Sequence, residues 1–197
     1  MHRIITPPTL ILASASPRRR DLLARDGYTF TVVPADVTEV APPHLTPGEL
    51  TLANARLKAK AIAAAHPEAL VLGVDTVVAF EEEVFGKPRD MDEALTMVSR
   101  MAGKVHEVWS GAWLVRGTHE TGFTEVTRVR FRSLDESQLR AYLARIGPLD
   151  KAGAYAAQDD RGELIEHVEG CFDNVVGLPM RALARALRKF ASSSRDK

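Results

Sequence analysis

A single cysteine, Cys171, is present among 197 residues. That excludes an internal disulfide and any metal site built from several thiolates, and it suits a reducing compartment. We read Cys171 as a small buried apolar residue rather than a nucleophile. Long apolar runs are missing too. No stretch approaches the ~20 residues needed to span a bilayer, and the N-terminal run Leu10 to Ala13 is too short for a signal peptide. A cytoplasmic protein with no membrane partner is expected. Charge of one sign is not in excess either, since 26 Lys and Arg balance 26 Asp and Glu. Coating of nucleic acid or anionic lipid by bulk attraction is therefore not expected, and any polyanion must be met by local clustering of cations. Neither GxxxxGK[ST] nor HExxH occurs, and there is no internal repeat.

The chain is long enough, at 45% hydrophobic residues, to bury one substantial core. We expect one domain over residues 1–191 and a frayed tail over 192–197. Thr9 to Ala13 reads as a short buried strand. It runs through Ser14-Ala15-Ser16 into a helix from Pro17 to Arg25, with Ser16 as N-cap and Pro17 at the first helical position. Thr29 to Val33 reads as a second strand, and the segment from Pro34 past Pro42 and Pro43 as a loop. Thr46 and Glu49 form a capping box that opens a helix to about Ala65. Leu70 to Phe80 is the strongest strand signal, and it meets Val84-Phe85 through an acidic turn. A helix from Asp90 to near Gly103 precedes two long strands, Val105 to Val115 and Thr121 to Arg132, which suggest a hairpin. Ser133 and Glu136 suggest a further capping box before a helix to Arg145. A strand at Leu164 to Val168 and a helix after Pro179 complete the pattern. Helices and strands alternate, but the hairpins interrupt a pure βαβ rhythm. The expected class is α/β with a mixed, twisted sheet.

Several segments invite chemistry. A helix N-terminus carries positive partial charge and favours acids in its first turn, yet Arg18, Arg19 and Arg20 stand there. A strand, a Ser-rich turn, a helix N-terminus and guanidinium forks together describe a phosphate pocket; a solvated basic surface is the alternative. Asp75 lies in Leu72-Gly-Val-Asp-Thr-Val-Val78, a run otherwise fit for burial. A carboxylate there must be paired, metal-bound or shifted in pKa, unless it is merely hydrogen-bonded at a strand end. Lys87, in Gly86-Lys87-Pro88, offers a cation on a stiff turn; Lys87, Lys58 and Glu39 would each pass alone as solvated surface groups. Gln158 follows a small-residue segment, Ala152 to Ala157, and its amide can donate to and accept from a nucleobase edge. His106, Trp109 and Trp113 read as packing or surface residues.

Taken in order, five stretches resemble the Maf family of nucleotide pyrophosphatases, also described as septum-formation-inhibitor-like. They are Leu10-Ile-Leu-Ala-Ser-Ala-Ser-Pro-Arg-Arg19 with Leu22-Leu23, Leu72 to Val78, Gly86-Lys-Pro88, Asp150-Lys-Ala-Gly-Ala-Tyr155, and Glu169-Gly170 leading into Asn174-Val-Val-Gly-Leu-Pro179. The resemblance implies an elongated mixed sheet flanked by helices, like that of inosine-triphosphate pyrophosphatases, with a cleft between two lobes and a homodimeric assembly. It also implies hydrolysis of nucleoside triphosphates to monophosphate and pyrophosphate. Asp75 matches the proton acceptor, and Arg18, Thr76 and Gln158 match positions tied to base selection. Ser14, Arg19, Glu39, Lys58 and Lys87 match the remaining polar pocket, and Ser16 of the Ser-rich turn is expected to bind substrate beside them. Glutamine at 158, after Asp150-Lys-Ala-Gly-Ala-Tyr155, resembles the dTTP/UTP branch. The sequence departs from that branch at Ala156, Ala157 and Asp159, where Gly-Ile-Gln-Gly is commoner.

On this reading Arg18, Arg19, Lys58 and Lys87 neutralise the phosphate chain. Glu39 and Asp75 offer oxygens to a Mg²⁺ or Mn²⁺ ion, and Asp75 deprotonates the attacking water. Two other classes compete. One is a nucleotide-binding regulator of cell division or septum formation without turnover. The other is a nucleic-acid patch at Arg18 to Arg20, opposed by the zero net charge and by the lack of a basic stripe with interleaved aromatics.

Overall fold

The computed structural model describes residues 9–193. The N-terminal stretch weighed above as a signal peptide begins outside them, as does the end of the expected tail. Seven strands form one mixed sheet: β1 (Leu10–Leu12), β2 (Phe30–Val32), β3 (Leu70–Phe80), β4 (Glu83–Phe85), β5 (Val105–Arg116), β6 (His119–Phe131) and β7 (Ile165–Glu169). Their order is β2-β1-β3-β5-β6-β7, and β4 pairs with β3 outside that path. β1 runs parallel to both β2 and β3, and every other pairing is antiparallel. The expected α/β class with a mixed sheet is what the chain adopts.

Helices cover both faces of the sheet. α1 (Pro17–Arg25), α3 (Met91–Met101), α4 (Glu136–Ile146) and α6 (Met180–Ser193) send Leu22, Leu23, Met97, Met101, Leu139, Leu143, Leu183 and Phe190 into one core with Leu12, Leu72, Val74, Val108, Leu114 and Phe131. A smaller cluster on the other face joins Ile11, Ala13, Val71 and Val115 to Ala59 of α2 (Pro47–Ala63). β3 is therefore buried on both sides, which is why it reads as a continuous apolar run rather than an alternating one.

α2 lies unusually close to the sheet. A Cβ on Gly73 would stand 2.1 Å from the Ala55 carbonyl oxygen, and one on Gly111, its near neighbour across the sheet, 2.4 Å from the backbone of Thr51 and Leu52. These glycines remove the side chains that would hold the helix off. The helix itself starts at the expected capping box, with Thr46 accepting from the Glu49 amide and Glu49 from the Thr46 amide.

Four local expectations need correction or refinement. The capping box of α4 is Asp135 with Gln138, not Ser133 with Glu136. The chain before it is still committed to the sheet, because the Arg132 amide donates to Leu164 and its carbonyl accepts from Gly103; helix cannot begin until that ladder ends. Ser16 stands at the N-cap of α1 but makes no capping bond with its side chain. Cys171 is only partly buried and sits at the N-cap of a short helix absent from the sequence reading, α5 (Phe172–Val176). Its backbone groups, not its thiol, are bonded, both to the Thr127 hydroxyl. α6 also takes in Ser192 and Ser193 from the expected tail.

The close approach yields a stability prediction. Gly73→Ala should lower the free energy of unfolding by about 3 kcal/mol, the upper end of the usual cost of overpacking, read from the urea midpoint. An unchanged midpoint would show that α2 can retreat freely.

Candidate active site

β1 pairs with Leu70–Leu72 of β3, and β4 pairs with Val78–Phe80 along the same edge. Neither covers residues 73–77 there. Along this gap opens a cleft of about 1070 Å³, walled by the turn after β1, the loop from Ala35 to Leu45, α2, the β4 turn and the segment from Asp150 to Gln158. Ser14, Ser16, Arg18, Arg19, Glu39, Lys58, Asp75, Thr76, Lys87 and Gln158 all line it. Residues spread over most of the sequence thus meet at one cavity.

Asp75 shares the face of β3 that carries Gly73, so it points toward α2. Lys58 and Asn54, one helical turn apart, reach it from there. Lys58 Nζ stands 2.7 Å from one carboxylate oxygen, and Asn54 Nδ2 donates to the other at 3.4 Å. The carboxylate is 8% exposed and the lysine side chain 12%, so neither charge is free to relax into water. The same ammonium lies 2.8 Å from Glu39. Asn54 also grips the backbone of Val40, accepting from its amide at 2.8 Å and donating to its carbonyl at 3.1 Å. One helix thereby fixes the strand acid and the loop acid together. Asn54 was not anticipated; its signal is a buried amide one turn from Lys58 on the packed face of α2.

The other face of β3 carries Thr76, and here the arginine turn closes in. Arg19 donates from Nε to the Gly177 carbonyl, from Nη1 to Ser14 Oγ and the Val74 carbonyl, and from Nη2 to Thr76 Oγ1, at 2.9 to 3.0 Å. Four of its five N–H groups are so engaged. Burial lowers its pKa to about 10, which still leaves it charged at neutral pH. Arg19 therefore satisfies the uncovered edge of β3 and ties the helix opening to Gly177, rather than standing open for an anion. The Thr76 hydroxyl is shared further with Ser110, at 2.8 Å. Gly177 is presented by α5, which Asn174 pins to the sheet through Val108 and Thr127.

Arg18 stays nearer the solvent and forms a 2.9 Å ion pair with Asp150, whose carbonyl takes a second bond. Burial works to raise the Asp150 pKa, but the hydrogen bonds from Lys151 and Arg18 outweigh it and bring the group down to about 2. The pair's stabilisation is present above the ordinary carboxylate range and fades as pH falls toward that value. After Asp150 the chain turns through Gly153 and Ala154, both at left-handed φ (67° and 60°). A Cβ on Gly153 would stand 2.7 Å from Val78, and its amide donates to Gly86 at 2.9 Å. This strained turn seats the segment against β3 and brings Gln158, exposed, to the cleft wall beyond Ala157. Tyr155 is anchored on His106 at 3.0 Å, and burial holds that histidine down to about 3, so the ring is neutral. Lys87 is exposed and makes no ion pair among the described residues.

Among the described residues no group of three His, Cys, Asp or Glu side chains could hold a metal. Glu39 and Asp75 do converge on one point, occupied by Lys58 Nζ. A pair of carboxylates suits Mg²⁺ or Mn²⁺ when substrate oxygens and water complete the shell, so the residues fit such an ion as a shared site and not as a protein cage.

Residues 9–190 match the family described as Maf-like protein. The chain belongs to the Maf family. It is similar to a dTTP/UTP pyrophosphatase of Pelotomaculum thermopropionicum, with 45% identity over 183 residues, 92% of this chain and 96% of the relative. A protein of the same description from Myxococcus xanthus is 48% identical over 175 residues, 87% of each chain. One from Bacillus cytotoxicus is 40% identical over 184 residues, 93% and 96%. The range matched to the family takes in every wall of the cleft. No helix among the described residues is long and apolar enough to cross a membrane.

The Arg18–Asp150 pair yields a kinetic prediction for a nucleotide substrate. Asp150→Ala should raise KM roughly three- to tenfold, the worth of about one hydrogen bond in orienting Arg18, and leave kcat within about a factor of two. Steady-state kinetics at neutral pH decide it, and a KM equal to wild type would show that Arg18 holds its place unaided.

Proposed function

We propose that this Maf protein hydrolyses dTTP and UTP to the monophosphate and pyrophosphate. The observation that carries the reading is the Asp75–Lys58–Glu39 cluster facing the arginine turn across a single cleft, and the description shared by the relatives supports the substrate.

The phosphate chain is to lie among Arg18, Lys58, Lys87 and the Ser14–Ser16 turn, which leads into the N-terminus of α1. Arg19 holds that turn in place and keeps one N–H available. Asp75 accepts the proton of a water placed against the α phosphorus. The water oxygen forms a new bond to that phosphorus, the bond to the bridging oxygen breaks, and pyrophosphate leaves with the electron pair. Before nucleotide and metal bind, Lys58 pairs with Asp75 and keeps the carboxylate oriented. A Mg²⁺ or Mn²⁺ ion held by Glu39 and Asp75 would supply charge neutralisation on the phosphate oxygens and a lowered pKa for bound water. Gln158 is to meet the edge of the pyrimidine, where a mismatched base leaves polar groups unpaired. The homodimer belongs to the same proposal and rests on the family resemblance alone; the cytoplasmic setting belongs to it too, and rests on the single cysteine and the short apolar runs of the sequence.

Release of pyrophosphate from dTTP, UTP and a panel of other triphosphates with Mn²⁺ tests the reading directly. A protein that binds nucleotide and releases none would instead be a regulator. Asp75→Asn should reduce kcat by about a thousandfold or more, as expected when a general base worth 10² to 10⁴ is lost, while equilibrium dialysis still shows nucleotide bound. Gln158→Glu should change the ratio of kcat/KM for dTTP against GTP by roughly tenfold or more. Equal losses for both nucleotides would remove Gln158 from base selection.

A further inference from the structure

Lys58 stands where a cation is wanted, and it is itself a cation. Its ammonium lies 2.7 Å from Asp75 and 2.8 Å from Glu39. These are the two carboxylates that the reading above assigns to a divalent metal, and the inference rests on that assignment. The arrangement is enforced from several sides. Lys58 rises from a helix pressed onto the sheet at Gly73. Asn54, on the same helix face, holds the loop next to Glu39 through the backbone of Val40 and touches the second oxygen of Asp75. The lysine side chain is 12% exposed, so its stem is packed, while its head borders the cleft.

Two carboxylates and one ammonium leave one net negative charge, against two if the lysine were absent. A divalent ion cannot bridge Glu39 and Asp75 while the ammonium occupies the same oxygens, because like charges at such distances repel, most strongly beside Asp75 at 8% exposure and less beside Glu39 at 53%. We infer that Lys58 and the divalent metal are alternative occupants of the Glu39–Asp75 bridge. Metal then enters together with the triphosphate, whose oxygens receive the displaced ammonium. Lysine suits such an exchange, being a compact charge on a flexible stem, where arginine would hold a fixed fork. By linkage, metal and nucleotide must each tighten the binding of the other.

Electron paramagnetic resonance of free Mn²⁺ reads the exchange without turnover. The full chain is titrated with Mn²⁺, with and without a dTTP analogue carrying a methylene group between its α and β phosphorus atoms, and the Mn²⁺ held by the analogue alone is measured without protein and subtracted. Lys58→Met and Lys58→Gln should each bind Mn²⁺ about tenfold or more tightly than wild type when the analogue is absent, the scale of removing one close charge from a partly buried site. The analogue should tighten Mn²⁺ binding by wild type at least about tenfold, and by the variants less. Variants that match wild type without the analogue overturn the inference, and so does a wild type that binds Mn²⁺ equally with and without it, a result that needs no variant to fold. Glu39→Gln and Asp75→Asn separate the two levels. If neither weakens Mn²⁺ binding in the presence of the analogue, the metal assignment fails and takes the exchange with it. If both weaken it but the lysine variants behave as wild type, the exchange alone is wrong.

Discussion

Everything in the cleft depends on keeping a carboxylate on a strand that is buried on both faces. Asp75 is 8% exposed at the cleft wall, and a charge with so little access to water must be paired. Its partners can come only from α2, and they reach it only because α2 meets bare backbone at Gly73 and Gly111. A larger residue at either place would lift Lys58 and Asn54 away from the acid. The tight packing of the smaller core and the chemistry of the site are one constraint.

A second consequence concerns the edge of β3. β1 is three residues long and β4 is three residues long, so the middle of the strand has no neighbour on that side. A sheet edge left open would present bare carbonyls, and Arg19 answers this by bonding Val74 while reaching Ser14, Thr76 and Gly177. The guanidinium that looked like a waiting anion receptor is thus mostly a structural pin. What remains for a ligand is the helix opening it secures, the neighbouring Arg18, and the cations Lys58 and Lys87. Preorganisation of this kind lets few charges act with defined geometry.

Local structure is legible where one element's own pattern decides the matter. Leu70 to Phe80 was bounded correctly because an eleven-residue apolar run between turn signals has few other uses. Thr46 and Glu49 were legible because a capping box is made within four residues. It is ambiguous where two local solutions are equally good. Ser133 with Glu136 and Asp135 with Gln138 both fit a cap, and the choice fell to a backbone bond between Arg132 and Leu164, distant in sequence. Five-residue α5 carries no periodicity, and the partial exposure of Cys171 at its N-cap follows from neighbours in space that the local sequence does not specify.

Composition, periodicity and the order of motifs were enough to establish a mixed α/β domain and the residue types that would do its chemistry, since those properties follow from side chains and their near neighbours along the chain. Only the folded structure decided which charges pair. That Arg19 serves the sheet edge, that Arg18 leans on Asp150, and that Lys58 lies between Glu39 and Asp75 depend on distances across elements far apart in sequence. Electrostatic and hydrogen-bond energies fall steeply with separation in space, and a linear sequence does not carry that separation.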